Sequence, residues 1–259
     1  MLRSFKQFLG DKLGATDGDI GHVKDFYFDE QHWAVRYLVA DTGSWIPVRL
    51  VLISPYALGG LGPGGKVLRV NLTRKQIENS PSIEAHKPLS RQYEEEYSRF
   101  YGWPYYWHGD ALWGMSGFPI LSEKPAPFPG EPAAENGAKR EAADAGLWSA
   151  QSVIGYQIQT GDEIVGQVID FMVDDKSWAI GYLVVNTGHR LSGNRVLVSP
   201  DQIDRISWDE SKVFVNVTQG NILQTPAGDG PTCAIDVPEN RSGSITLHLG
   251  RKANTPLER

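Results

Sequence analysis

The side chains from which catalysis or metal binding would have to be built are sparse in this chain. It has six histidines, His22, His32, His86, His108, His189 and His248, and one cysteine, Cys233. No two histidines stand at the spacing of a helical metal pair, and no HExxH or CxxC occurs. A single cysteine leaves no internal disulfide and no thiolate cluster, and Cys233 has no basic neighbour or helix start to activate it. His108 with Asp110 is the one close histidine–carboxylate pair and reads as a loop contact. The run Gly59-Gly60-Leu61-Gly62-Pro63-Gly64-Gly65 lacks the Lys-Ser/Thr that a phosphate loop requires. It reads as a flexible strand connection. No GxSxG is present. The expectation is therefore no catalytic residue, no metal ligand and no cofactor.

What the sequence does carry is a duplication. Residues 21–55 match residues 166–200 without a gap at an offset of 145 (166 − 21), with identity at sixteen of the thirty-five positions. The pairs include Asp25/Asp170, Trp33/Trp178, Tyr37/Tyr182, Thr42-Gly43/Thr187-Gly188 and Ser54-Pro55/Ser199-Pro200. A self-match of this length marks a duplicated structural unit. The positions that differ include those expected at the surface, His32/Ser177, Arg36/Gly181 and Trp45/Arg190. Asp25 and Asp170 are the shared carboxylates that lie in a strand rather than a turn. One carboxylate per unit reads as structural, bonding backbone donors of a neighbouring turn.

Each unit of about 80 residues is near the lower limit for an independent core, so packing between units is expected to help. In the first unit, Leu13–Thr16, Ile20–Phe28, Trp33–Asp41, Leu50–Ile53 and Val67–Leu72 read as strands bounded by turn residues. Ser44–Val48 reads as an edge segment because Pro47 cannot donate to a central ladder. Ser54-Pro55 signals one helical turn, and Thr73 with Gln76 a capping box. Trp33–Asp41 alternates, with Trp33, Val35, Tyr37 and Val39 on one face and Ala34, Arg36, Leu38 and Ala40 on the other. Six short strands and little helix predict a small barrel or sandwich.

The pattern Gly21-x-Val23-x-Asp25-Phe26-x-Phe28-Asp29, then Trp33-x-Val35-Arg36-Tyr37-Leu38-Val39-x-Asp41-Thr42-Gly43, then Val51-Leu52-Ile53-Ser54-Pro55, resembles the PRC-barrel family. The resemblance covers about 13–81 and again 154–226. It implies an all-β chain of two tandem small six-stranded PRC-type β-barrels. Such domains occur in the cytoplasmic part of the photosynthetic reaction centre H subunit and at the C-terminal end of ribosome maturation factors. The likeness speaks for fold and not for chemistry.

Residues 82–121 form a short aromatic helical extension after the first barrel. Leu89–Tyr101 is expected to be a helix ended by Gly102, with Leu89, Tyr93, Tyr97, Phe100 and Tyr101 in one apolar stripe. Arg91–Glu95 and Glu95–Arg99 are spaced to ladder along the opposite face. The candidate interaction surface is Tyr93, Tyr97, Phe100, Tyr101, Trp103, Tyr105, Tyr106 and Trp107, rings that either pack on a barrel or anchor a partner. A base-stacking platform needs basic residues among the rings, whereas Glu94–Glu96 stand there instead. The resulting division is 1–81, first barrel; 82–121, extension; 122–146, a Pro/Ala/Glu-rich disordered linker; 147–226, second barrel; and 227–259, an irregular tail with a strand-like piece at Ser244–Leu249.

The net charge of −6 argues against a phosphate backbone as ligand. No apolar run is long enough to span a membrane, and Met1–Gly14 lacks the apolar core of a signal peptide. The expected function is that of a non-enzymatic, cytoplasmic interaction or scaffold protein with an unidentified protein partner, with self-association through barrel or extension a further expectation. The resemblance adds two alternatives, a soluble H-subunit relative docking on a membrane electron-transfer complex and an RNA- or ribosome-associated factor.

Overall fold

The computed structural model describes residues 1–43, 50–61, 66–81, 83, 89–121, 147–161, 163–187, 195–216 and the backbone of 223–224, with the Leu61 side chain excepted. The linker 122–146, the segment Ser44–Val48, the tail 227–259, His86, His189, His248 and Cys233 lie outside the described residues.

The chain is mostly β. The first unit opens with strand β1 (Leu2–Ser4) and a helical turn α1 (Phe5–Phe8). Six strands follow: β2 (Lys12–Ala15), β3 (Gly18–Asp29), β4 (Ala34–Asp41), β5 (Leu50–Ile53), β6 (Leu58–Leu61) and β7 (Val67–Val70). Helices α2 (Arg74–Glu78) and α3 (Arg91–Tyr101) complete this half. The second half repeats the plan with β8 (Trp148–Ser149), α4 (Ala150–Val153), β9 (Gln157–Thr160), β10 (Glu163–Asp174), β11 (Ile180–Asn186), β12 (Arg195–Val198), β13 (Ile203–Ser207) and β14 (Lys212–Val215), then β15 (Leu223–Gln224). The expected capping box forms at Thr73 and Gln76, and Ser54-Pro55 starts a 3-10 turn over Pro55–Ala57. Gly59 and Gly60, expected in a connection, instead lie in β6.

Two sheets result, ordered β5-β4-β3-β2-β7-β6 and β13-β14-β9-β10-β11-β12-β15. Neither path closes into a barrel among the described residues. Each sheet gains one strand beyond its own, and that strand comes from the other half: β8 pairs with β3, and β1 pairs with β10. The two additions share one register. Ser149 lies opposite Tyr27, and Ser4 lies opposite Met172, 145 residues on from Tyr27.

The same offset governs the contact between the hairpins. Ala34 bridges Ala179, the Val35 N–H donates to the Trp178 carbonyl at 2.9 Å, and the Ile180 N–H donates to the Trp33 carbonyl at 2.6 Å. The halves are thus related by a local twofold axis through this bridge. Trp33 and Trp178 both adopt positive φ, 50° and 60°, a costly conformation for a bulky residue. In both, it is the carbonyl of that residue that accepts the bond from the other half. Gly21 and Gly166 are shared for a steric reason, since a Cβ would come within 1.9 Å and 2.5 Å of the Asp41 and Asn186 carbonyl oxygens.

One continuous apolar core runs through both halves, from Phe8, Leu13, Phe26 and Leu38 to Phe171, Trp178, Leu183 and Val213. Phe5 stacks on Phe26 with centroids 4.5 Å apart and reaches Phe171 of the other half at 5.3 Å. Packing between units, expected from their small size, is therefore realised as a shared interior.

Candidate functional site

Asp25 and Asp170 hold the two lead-in segments. The Ser149 hydroxyl donates to Asp25 Oδ2 at 2.5 Å, and the Gln151 N–H donates to Asp25 Oδ1 at 3.0 Å. Across the axis, Ser4 donates to Asp170 Oδ2, and the Lys6 N–H to Oδ1 at 3.3 Å. The structural reading of these carboxylates holds, but the donors belong to the opposite half and not to a neighbouring turn. Each carboxylate also accepts the N–H of the residue after it, Phe26 at 2.7 Å and Phe171 at 2.8 Å.

The aromatic extension lies on the first sheet. Ser90 caps α3 by accepting the Tyr93 N–H at 3.3 Å, and Gly102 ends it at φ 70°. The buried face runs Glu94, Tyr97, Ser98, while Phe100 points to solvent. Tyr97 donates its hydroxyl to the Leu52 carbonyl of β5 and meets Tyr37 of β4 edge-on. Trp103 stacks on Tyr101 at 4.3 Å, and Trp113 packs on Tyr56 at 5.1 Å. The Trp113 indole N–H donates to the Ser177 carbonyl at 2.7 Å, so the extension also grips the second half. Of the eight candidate surface rings, Tyr97, Trp103 and Tyr106 are buried; Tyr93, Tyr101, Tyr105 and Trp107 are half-buried; and only Phe100 is exposed.

Beneath the extension sits a polar cluster that the sequence reading missed. Arg36, expected at the surface, is 1% exposed. Every residue of Ala34–Ala40 is buried, and Arg36 is covered by Tyr106, Leu112 and Trp113 of the extension. Tyr27 faces Tyr37 and Phe28 faces Val35, so Arg36 is also the extra residue of a bulge, and alternation fails there. Its Nε donates to Asp29, its Nη1 donates to the Leu112 carbonyl at 2.6 Å, and its guanidinium lies 3.9 Å from the Tyr106 ring centroid. Glu94 completes the cluster, accepting from the Tyr106 hydroxyl at 2.7 Å and pairing with Arg91 at 3.0 Å. This i,i+3 pair replaces the expected Arg91–Glu95 ladder. Burial drives the Glu94 carboxyl up to about 7, against the lowering pull of Arg91, Tyr106, Tyr37 and Arg36. Burial also pushes on Asp29, but His32 and Arg36 outweigh it and hold that carboxyl below its ordinary range. The cluster joins a buried pair, Arg36 with Asp29, to a second pair in which Glu94 is buried and Arg91 about a third exposed, an arrangement that fixes geometry.

The exposed apolar surface lies further along. Turns such as Ala111 N–H to Gly114 O at 2.9 Å fold residues 105–116 back on themselves. Residues 115–121 then present Met115, Phe118, Ile120 and Leu121 to solvent, with Met115 90% and Ile120 65% exposed. Phe118 and Ile120 also line a cavity of about 450 Å³ at the junction of the halves, together with Arg3, Phe8, Lys176 and Trp178. The signal for this surface was legible as Met-x-x-Phe-Pro-Ile-Leu shortly after Trp113, but no periodicity separates an exposed apolar run from a buried one.

Among the described residues no group of three or more His, Cys, Asp or Glu could hold a metal ion. His108 packs edge-on against Tyr105. No helix among the described residues is long and apolar enough to cross a membrane.

Residues 148–222 match the model of the PRC-barrel domain family. The match spans the second repeat. The likeness of the first repeat to the second rests on the internal duplication and its shared register. No curated protein matches the chain.

Proposed function

We propose, taking a PRC-barrel domain over the second repeat as the premise, that the chain is a non-enzymatic scaffold whose partner is a protein docking on residues 115–121. The PRC-barrel domain is an interaction-type module. The observation that carries the reading is the exposed run Met115, Phe118, Ile120 and Leu121. Apolar side chains presented together on an otherwise well-packed surface mark an interaction site. The run follows directly on the buried anchors Trp103, Tyr106 and Trp113, so a partner would meet a preformed ridge and lose little affinity to ordering it. Tyr105 and Trp107, stacked at 4.8 Å, precede the run by eight to ten residues and are the half-buried members of the aromatic set nearest to it in sequence.

A photo-crosslinking residue at Met115 in the full chain, used in native extract, tests this. The expected result is one discrete protein adduct that disappears in the Phe118→Asp/Ile120→Asp variant while the melting temperature holds. An adduct pattern unchanged by that variant, or adducts with lipid or RNA in place of protein, would sink the reading.

A further inference from the structure

The junction between the halves is symmetric in backbone and asymmetric in side-chain size. Its polar and backbone elements are duplicated: Ser4/Ser149, Asp25/Asp170, Ala34/Ala179 and the carbonyls of Trp33/Trp178. Three buried apolar positions at the junction are not. Phe5, Phe8 and Phe28 of the first half correspond, at the 145-residue offset, to Ala150, Val153 and Val173 of the second. All three rings reach across: Phe5 to Phe171 at 5.3 Å, Phe8 to Trp178 at 5.7 Å and Phe28 to Phe171 at 5.4 Å. Inside each unit several matched core positions keep their size, as in Leu38/Leu183, Val51/Val196, Leu52/Leu197 and Val70/Val215. At these three positions of the junction the large side chain stands on the first half each time, while at the bridge Val35 matches Ile180, one methylene larger.

We infer that this junction is a heterospecific pairing surface: the first half accepts the second half, of its own chain or of another copy, and rejects a second first half. Two first halves brought together by the same register would place six phenylalanines where three now fit. Overpacking of that kind forces rings off their rotamers. Two second halves would supply none and leave voids lined by Ala150, Val153 and Val173. The mixed pair alone fills the space, and rejecting like pairs is how a surface made by duplication gains specificity. Covalent linkage through residues 122–146 then favours pairing within one chain by effective concentration.

The test keeps the whole chain. A protease site placed within residues 131–137 is cut after folding, and light and isotopically heavy preparations of the nicked protein are mixed, unfolded in urea and refolded together. Native mass spectrometry should find first–second pairs in all four isotopic combinations, with like–like pairs below a tenth of the total. First–first and second–second pairs near the statistical quarter each would overturn the inference, as would halves that fail to stay paired at micromolar concentration after the cut. An uncut measurement serves if refolding is poor. Val173→Phe should lower the melting temperature of the intact chain, and Phe28→Val/Val173→Phe should lower it by less than the sum of the single losses. Additive losses would show that the two positions share no space and would equally overturn it.

Discussion

Asp25 does three jobs with one carboxylate, holding Ser149, Gln151 and the Phe26 N–H. Hydrogen bonds to a charged group contribute roughly 1.5–3 kcal/mol each, and donors left buried without a partner cost more than the bond contributed. Asp25→Ala is expected to lower the melting temperature by several degrees, and Asp170→Ala likewise. Thermal unfolding of the two variants checks this, and an unchanged melting temperature in either would refute it. Glu94 predicts a pH dependence. Its folded-state value is raised to about 7 from an ordinary 4.5. The folded chain therefore binds a proton that the unfolded chain releases, over the window between those values. Stability from this group is fully present below the ordinary carboxylate range and is lost as pH rises through 7, by at most about 3 kcal/mol. Asp29, shifted the other way, acts only at acid pH below this window. Melting temperature should fall between pH 5 and 8 in the native chain, and Glu94→Gln should flatten the slope.

At the level of elements, the extension behaves as a third layer on the first sheet. Trp103 is buried against Tyr56 and Tyr101, so Trp103→Ala opens a cavity, and a drop of several degrees in melting temperature is expected. Met115→Ser, at a fully solvated position, should change it by less than one degree. The stop of α3 at Gly102 and the Thr73–Gln76 cap of α2 were legible because their signals are local, whereas α3, expected from Leu89, starts at Arg91 behind the Ser90 cap. Arg36 was not legible. Its burial depends on the extension folding over β4 from about seventy residues away, and its place in the strand on a bulge, a relation between two strands that neither carries alone. The exchanged strands β1 and β8 escaped for a related reason. They are three and two residues long, too short for any pattern, and their partners lie more than a hundred residues away. The buried side of α3 was half read, because counting only apolar residues put Phe100 on it and left Glu94 off.

For the whole molecule, the shared core and reciprocal strands predict one cooperative unit. Scanning calorimetry of the full chain should give a single transition whose van't Hoff and calorimetric enthalpies agree, whereas two resolved transitions would mean that the halves melt separately. The duplication itself was the most legible feature of the sequence, and the register of the two sheets follows it residue for residue. What the offset conceals is divergence in use. In the first half, β4 carries Arg36, buried among the rings of the extension. In the second, the same place is Gly181, where an added Cβ would stand 3.1 Å from Leu2 Cδ2. Leu2 packs there against Met172, Tyr182 and Leu197. An arginine copied into position 181 would evict Leu2, and a glycine copied into position 36 would leave Asp29 buried without its cation. Recombination that overwrote one repeat with the other would thus yield a crippled product at either site, so the twin sequences, though alike enough to be mistaken for spares, have lost the freedom to repair each other.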